Sequence, residues 1–213
     1  MPGLPMAITR APLRTFRPQD LADTYTQPNV QLHRLAHQGR VKKAAHGLYY
    51  AIPDDQYPAW TPSIEALAAG VATAIFGERV PVLMHLTAAR MLGATPRAIA
   101  RAFVATPKQH APIQLADRQR GTIMFIARDV DRLDASLQTT DLGEALVTTA
   151  EQTVLDLAKR PNLGGMQDAC QEAIRNLLPR CDREQLHDLA DTQRMRRTLD
   201  RVFKAADGLT RGP

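Results

Sequence analysis

The sequence predicts an α+β protein: an N-terminal winged helix-turn-helix over residues 1–57, then a mixed α+β domain over residues 58–213 that ends in helices. Three observations carry this expectation. Two short helical patterns joined by a tight turn lead into a basic, β-prone hairpin within the first fifty-odd residues. β-branched and aromatic runs occupy the middle of the chain. From Ala150 onward the apolar spacing is helical.

Pro2, Pro5 and Pro12 confine a first helix to about Met6–Leu13. Pro18 falls in the first turn of a second, Arg17–Tyr25, where Leu21, Ala22 and Tyr25 recur at helical spacing and Phe16 packs alongside. Thr26-Gln27-Pro28-Asn29 then reads as a turn whose threonine caps the next helix. That helix runs to Gln38 and stops at Gly39. At roughly 100° per residue, Leu32, Leu35 and Ala36 share the inner side, opposite Gln27, Val30, His33, Arg34 and His37. Arg40–Lys43 and Gly47–Ile52 are β-prone strands separated by Ala44-Ala45-His46, a hairpin placed as a wing.

Ile52–Pro58 is polar and proline-bearing and ends the first module. Thr61-Pro62 opens a helix over Ser63–Phe76, Pro81–Leu86 is a short apolar run, and Thr87–Leu92 is helical with a stop at Gly93. Arg101–Thr106 and Thr122–Arg128 are strands, followed by a weaker pair, Ala135–Thr139 and Ala145–Thr149. Helices are expected at Ala150–Lys159, Gly165–Leu178, Arg183–Leu189 and about Thr192–Ala206.

With 44% hydrophobic and 23% charged residues, the 213-residue chain is too apolar for a disordered tail and long enough for a sizeable core. Two cysteines exclude a disulfide framework and a cysteine-rich zinc module. The start carries no secretory signal and no run is long enough to span a membrane, so a cytoplasmic protein is expected. The net charge of +5 is unevenly placed. Residues 1–50 hold seven basic side chains against Asp20 and Asp23, and the rest of the chain sums to zero. Basic charge concentrated on a helix-turn-helix and hairpin suits a polyanion. Arginine and glutamine form bidentate bonds to guanine and adenine, and an exposed valine suits a thymine methyl. Gln27, Val30, His33, Arg34 and His37 are therefore the candidate base readers, with Arg40, Lys42, Lys43 and His46 beside the phosphates of double-stranded DNA.

The string LHRLAHQGRVKKAAHGLYYAIPDD, with Leu32, Leu35, Gly39, Arg40, Gly47, Leu48 and Tyr49, resembles the N-terminal domain of AbiEi-type antitoxins. HLTAARMLGA (His85–Ala94) and ALVTTAEQTVLDLAKRP (Ala145–Pro161) resemble the same family's second domain. His46 departs from the pattern, since relatives often carry arginine there. The resemblance implies an antitoxin that neutralises a cognate nucleotidyltransferase toxin and autoregulates its operon at promoter DNA. It accommodates both direct and indirect neutralisation. Two alternatives stand beside it: a direct toxin-binding module with little DNA binding, and a stand-alone winged-helix regulator.

Nucleotidyl transfer needs carboxylates converging on a metal. Asp129-Val130-Asp131 has the spacing but no preceding Gly-Ser loop, and Arg128 and Arg132 flank it as local counter-charges. No phosphate-cradling GxxxxGK[ST] string and no HExxH motif occurs. His85 reads as a hydrogen-bonded core residue, and Cys170 and Cys181 as packing or surface thiols. No catalytic residue, metal site or cofactor is expected. Near the end, Arg194, Arg197, Arg201 and Lys204 form a basic stripe opposite Met195, Leu199, Val202 and Phe203. This stripe is a candidate partner-binding face.

Overall fold

The computed structural model describes residues 4–116 and 121–210, so Pro2 lies outside the described residues. Proline punctuates the start. Helix α1 (Met6–Thr9) is a single turn after Pro5, and a 3₁₀ turn at Pro12–Arg14 follows, so the first helix is shorter than expected. Strand β1 (Thr15–Phe16) leads into a second 3₁₀ turn at Pro18–Leu21. Here the expected helix over Arg17–Tyr25 does not form. The Asp20 carboxylate accepts from the Arg17 backbone N–H at 2.8 Å and closes the turn, while Ala22, Asp23 and Thr24 stay exposed and have no core to reward a helix.

Helix α2 (Pro28–His37) begins on a first-turn proline; Gln27, not Thr26, is the N-cap, and no side chain caps it. Strands β2 (Val41–Ala45) and β3 (Leu48–Ala51) make a hairpin, and β1 adds to β3, giving an antiparallel sheet in the order β1-β3-β2. Leu32 packs with Ile8, Phe16, Leu21, Val41 and Ala51 in a small core. Leu35 is only half-buried and Ala36 is exposed, so the inner face of α2 is narrower than its spacing predicts.

Helix α3 (Ile64–Phe76) is capped by Ser63, whose hydroxyl accepts from the Ala66 N–H. Then come β4 (Val82–Leu83), α4 (His85–Met91), β5 (Arg101–Thr106), β6 (Ile113–Gln114), β7 (Thr122–Ala127), β8 (Ala135–Thr140) and β9 (Gly143–Thr148). The chain closes with α5 (Ala150–Lys159), α6 (Gln167–Leu177), α7 (Arg183–Thr192) and α8 (Arg196–Thr210). The fold is mixed α+β and ends in helices. Six strands form one sheet, β6-β7-β5-β4-β9-β8, with β5–β7 and β4–β9 parallel and the other pairs antiparallel.

Alternation along β5 gives this sheet two buried faces. Ala102 and Val104 face α3, while Phe103 and Ala105 join the core under α4–α8. The α3 side is continuous with the first sheet: Ala44, Ala45, Leu48, Tyr50 and Ile52 pack into the same core as Ala66–Ala72. At Gly70 the two approach so closely that a Cβ would sit 2.2 Å from Thr15 Oγ1. The two parts of the chain therefore share packing across residues 57 and 58.

Candidate functional site

The outer side of α2 is built as its sequence period predicts. Gln27, His33, Arg34 and His37 are exposed, and Val30 is 52% exposed. The His33 and His37 rings, one helical turn apart, meet edge-on with centroids 4.5 Å apart. Arg34 and His37 lie in the last turn, where positive charge suits the negative end of the helix dipole. The helix then stops sharply. Gly39 adopts φ 67°, its N–H bonds the Ala36 carbonyl and the Arg40 N–H bonds the Leu35 carbonyl. This pair of bonds is the Schellman arrangement, and it delivers the chain directly into the hairpin.

The hairpin differs from the expected one. Its register shifts between Lys43 and Ala45, and the bulge lets Ala44 and Ala45 continue β2 as buried residues rather than form the turn. His46-Gly47 alone makes the tip. Lys43 and His46 are exposed, but the Lys42 ammonium donates to the Trp60 carbonyl at 2.8 Å, and Arg40 is half-buried with interactions of its own. The Ala44 carbonyl accepts from the Ala116 N–H at 2.9 Å. The hairpin is thus tied to the body along its length and open mainly at Lys43 and His46.

The C-terminal stripe is partly redrawn. Helix α8 starts at Arg196, so Arg194 is not on it. Arg194 instead follows the C-cap of α7 with φ 56°, and the flanking bonds from Arg194 N–H to Asp191 and Met195 N–H to Ala190 close another Schellman turn. The turn interrupts a period that runs unbroken in the sequence. Arg194, Arg197 and Arg201 nevertheless converge on one open groove of about 900 Å³, joined by Lys159 and Arg196; exposed Lys204 does not line it. Lys159, the last residue of α5, had no sequence signal linking it to residues 35–42 positions away. Met195, Leu199 and Val202 are buried beneath, with Phe203 packed alongside.

Beside this groove lies a polar network that sequence reasoning missed. Arg128, at the end of β7, bonds Asp156 on α5 at 2.9 Å rather than neutralising Asp129 or Asp131. Its second Nη bonds Gln193, and the Gln152 amide also donates to Asp156. Burial pushes the Asp156 carboxyl up and the Arg128 guanidinium opposes that shift. Asp129 and Asp131 are exposed on a 3₁₀ turn.

His85 is fully buried, opens α4 at φ 57°, and its Nε2 lies 3.1 Å from the Arg160 carbonyl. Burial lowers its pKa to about 4. Because the unfolded imidazole binds a proton near pH 6.5 and the folded one does not until about pH 4, its contribution to stability is present above pH 6.5 and is lost as pH falls to 4. His85→Asn removes this titration while keeping a side chain tolerant of positive φ. The stability difference between wild type and variant, followed by urea unfolding, should shrink by up to about 3 kcal/mol between pH 6.5 and 4. Burial also pushes the thiols of Cys170 and Cys181 up, to about 11 and about 12. Among the described residues no group of three or more His, Cys, Asp or Glu is placed to hold a metal ion, and no helix is long and apolar enough to cross a membrane.

These features define a mixed α+β protein with two cationic surfaces, one on α2 and its hairpin and one among the closing helices. Residues 81–203, more than half of the chain, match the AbiEi antitoxin C-terminal domain, and the chain belongs to the AbiEi antitoxin family. That membership supports an antitoxin role in a toxin–antitoxin system, with a toxin as its partner in the general sense. The fold is similar to the crystal structure of the RV2827C protein from Mycobacterium tuberculosis, at 17% sequence identity and a TM-score of 0.57, covering 87% of this chain and 68% of that one. No curated protein matches this chain.

Proposed function

We propose that the chain is a cytoplasmic, non-catalytic antitoxin that neutralises a cognate nucleotidyltransferase toxin and represses its own operon at promoter DNA. In this reading residues up to 57 form a winged helix-turn-helix, and the remainder is the antitoxin domain. The observation that carries it is the continuous presentation of α2 and the hairpin: an exposed row of Val30, Arg34 and His37, a Schellman turn, then a basic hairpin. A helix of this kind enters the major groove, and the hairpin follows the phosphates. Lys43 and His46 are best placed for phosphate. Arg40 and Lys42 join them, Lys42 by exchanging the Trp60 carbonyl for a phosphate oxygen.

One observation favours a second reading, a direct toxin-binding module with little DNA contact. The bonds from Lys42 to Trp60 and from Ala116 to Ala44 dock the hairpin on the body. Both readings are tested by expressing the protein of the neighbouring reading frame alone and with this chain. Growth arrest relieved by the chain is expected from both. Repression of a reporter fused to the operon's own promoter is expected only from the first, and an unrepressed reporter with full rescue selects the second.

A further inference from the structure

The cationic groove has an apolar continuation. Thr198 and Arg201 line it and also line a second cleft of about 670 Å³, whose apolar lining includes Ile174 and Leu178 on the α6 side and Val202 and Ala205 on α8. The two together run along one side of α8, from the turn at Arg194 to Ala206, about 15 Å of helix. At the first end five cationic side chains face a single lining carboxylate, Asp191, and Arg196 already takes that one. Phosphate backbones need the charge but not the apolar lining. A protein interface uses both, with an apolar centre inside a charged rim.

Arg194 adds an independent observation. Its backbone occupies the left-handed C′ position of α7, where glycine is the unstrained residue. Holding an arginine there costs stability, and the turn puts Arg194 among the residues that line the groove. A strained non-glycine residue lining an open charged groove points to a retained role.

Resting on the antitoxin reading above, we infer that the α5–α6–α8 groove docks an amphipathic, acidic segment of the toxin. Apolar side chains of that segment fill the Ile174–Val202–Ala205 cleft, and its carboxylates pair with Arg194, Arg197, Arg201 and Lys159. Three variants separate this from its competitors. Arg194→Gly relieves the strained turn, so its Tm should hold or rise. Arg197→Glu places an acid in the first turn of α8, where the dipole favours it. Ala205→Arg fills the apolar cleft at an exposed position while adding positive charge.

The full-length chain and each variant are titrated with the purified product of the neighbouring reading frame and, separately, with a mixed-sequence DNA duplex. Each variant should weaken the protein complex by about tenfold or more, with Tm at or above the wild-type value for Arg194→Gly. Ala205→Arg should leave duplex affinity equal or higher. If the wild-type complex forms and all three variants bind equally well, the groove assignment is overturned while the antitoxin reading stands. If Arg197→Glu loses only the duplex and Ala205→Arg gains it, the groove is a nucleic-acid surface. If wild type itself fails to bind the neighbouring protein, direct docking fails at its premise.

Discussion

Replacing Arg128 with methionine should lower the stability of the chain by about 3–5 kcal/mol at neutral pH, the expected cost of stranding a buried charge. Asp156 is fully buried as a side chain, and Arg128, 22% exposed, is its only ion-pair partner among the described residues. Burial already raises the carboxyl's pKa, so loss of the guanidinium raises it further. A folded-state pKa above the unfolded value near 3.8 means the folded variant binds the proton more readily. The deficit should therefore be largest at pH 7 and shrink as pH falls toward 5. Adding Asp156→Asn should recover much of it at pH 7. Urea unfolding of wild type, Arg128→Met and the double variant at the two pH values checks each step. A deficit independent of pH and untouched by Asp156→Asn would assign the loss to packing of the arginine stem instead. The same network holds Gln193, the residue before the Arg194 turn, so its integrity bears on the groove as well.

The second large effect is expected on recognition. Arg34 is exposed on the outer side of α2, one turn beyond Val30, and its substitution removes no buried contact. Arg34→Ala should leave the unfolding midpoint within about 0.5 kcal/mol of wild type. It should nevertheless cost about 1–3 kcal/mol of discrimination between the promoter and a scrambled duplex. Lys43→Ala, by contrast, should weaken both duplexes alike, because a phosphate contact carries no base information. The contrast between the two variants is what a recognition helix and wing require. Equal losses on both duplexes for both variants would reduce α2 to a non-specific basic surface.

Legibility differed among elements for physical reasons. Helix α5 and strand β5 lie where expected, because caps, apolar period and turn signals agree at both ends. The helix ending at Phe76 was similarly legible from Ser63 and its alanine-rich run. Strands β1 and β6 were not, since each has two residues and exists through pairing with β3 and β7 rather than through its own propensity. Ala44-Ala45 looked like a turn because a bulge is invisible in composition; burial against α3 is what keeps them in β2. The exposed face of α2 was readable from helical period alone. Of the groove, Arg194, Arg197 and Arg201 were readable as a basic stripe; the part played by Lys159 was not, because the groove combines the end of α5 with a turn and α8, and that turn breaks the period at Arg194. Likewise Arg128 and Asp156, 28 positions apart, meet only after the sheet and α5 have packed.

In the proposed function α2 and its hairpin read DNA. The most direct measurement is the affinity of the wild-type chain for its own promoter duplex and for a scrambled one, by fluorescence anisotropy across a salt series. With a few cations on phosphates, the logarithm of affinity should fall with the logarithm of salt at a slope of about −2 to −4 per bound chain, and the promoter should be preferred throughout. A salt-insensitive interaction, or equal affinity for the two duplexes at every salt concentration, would contradict it.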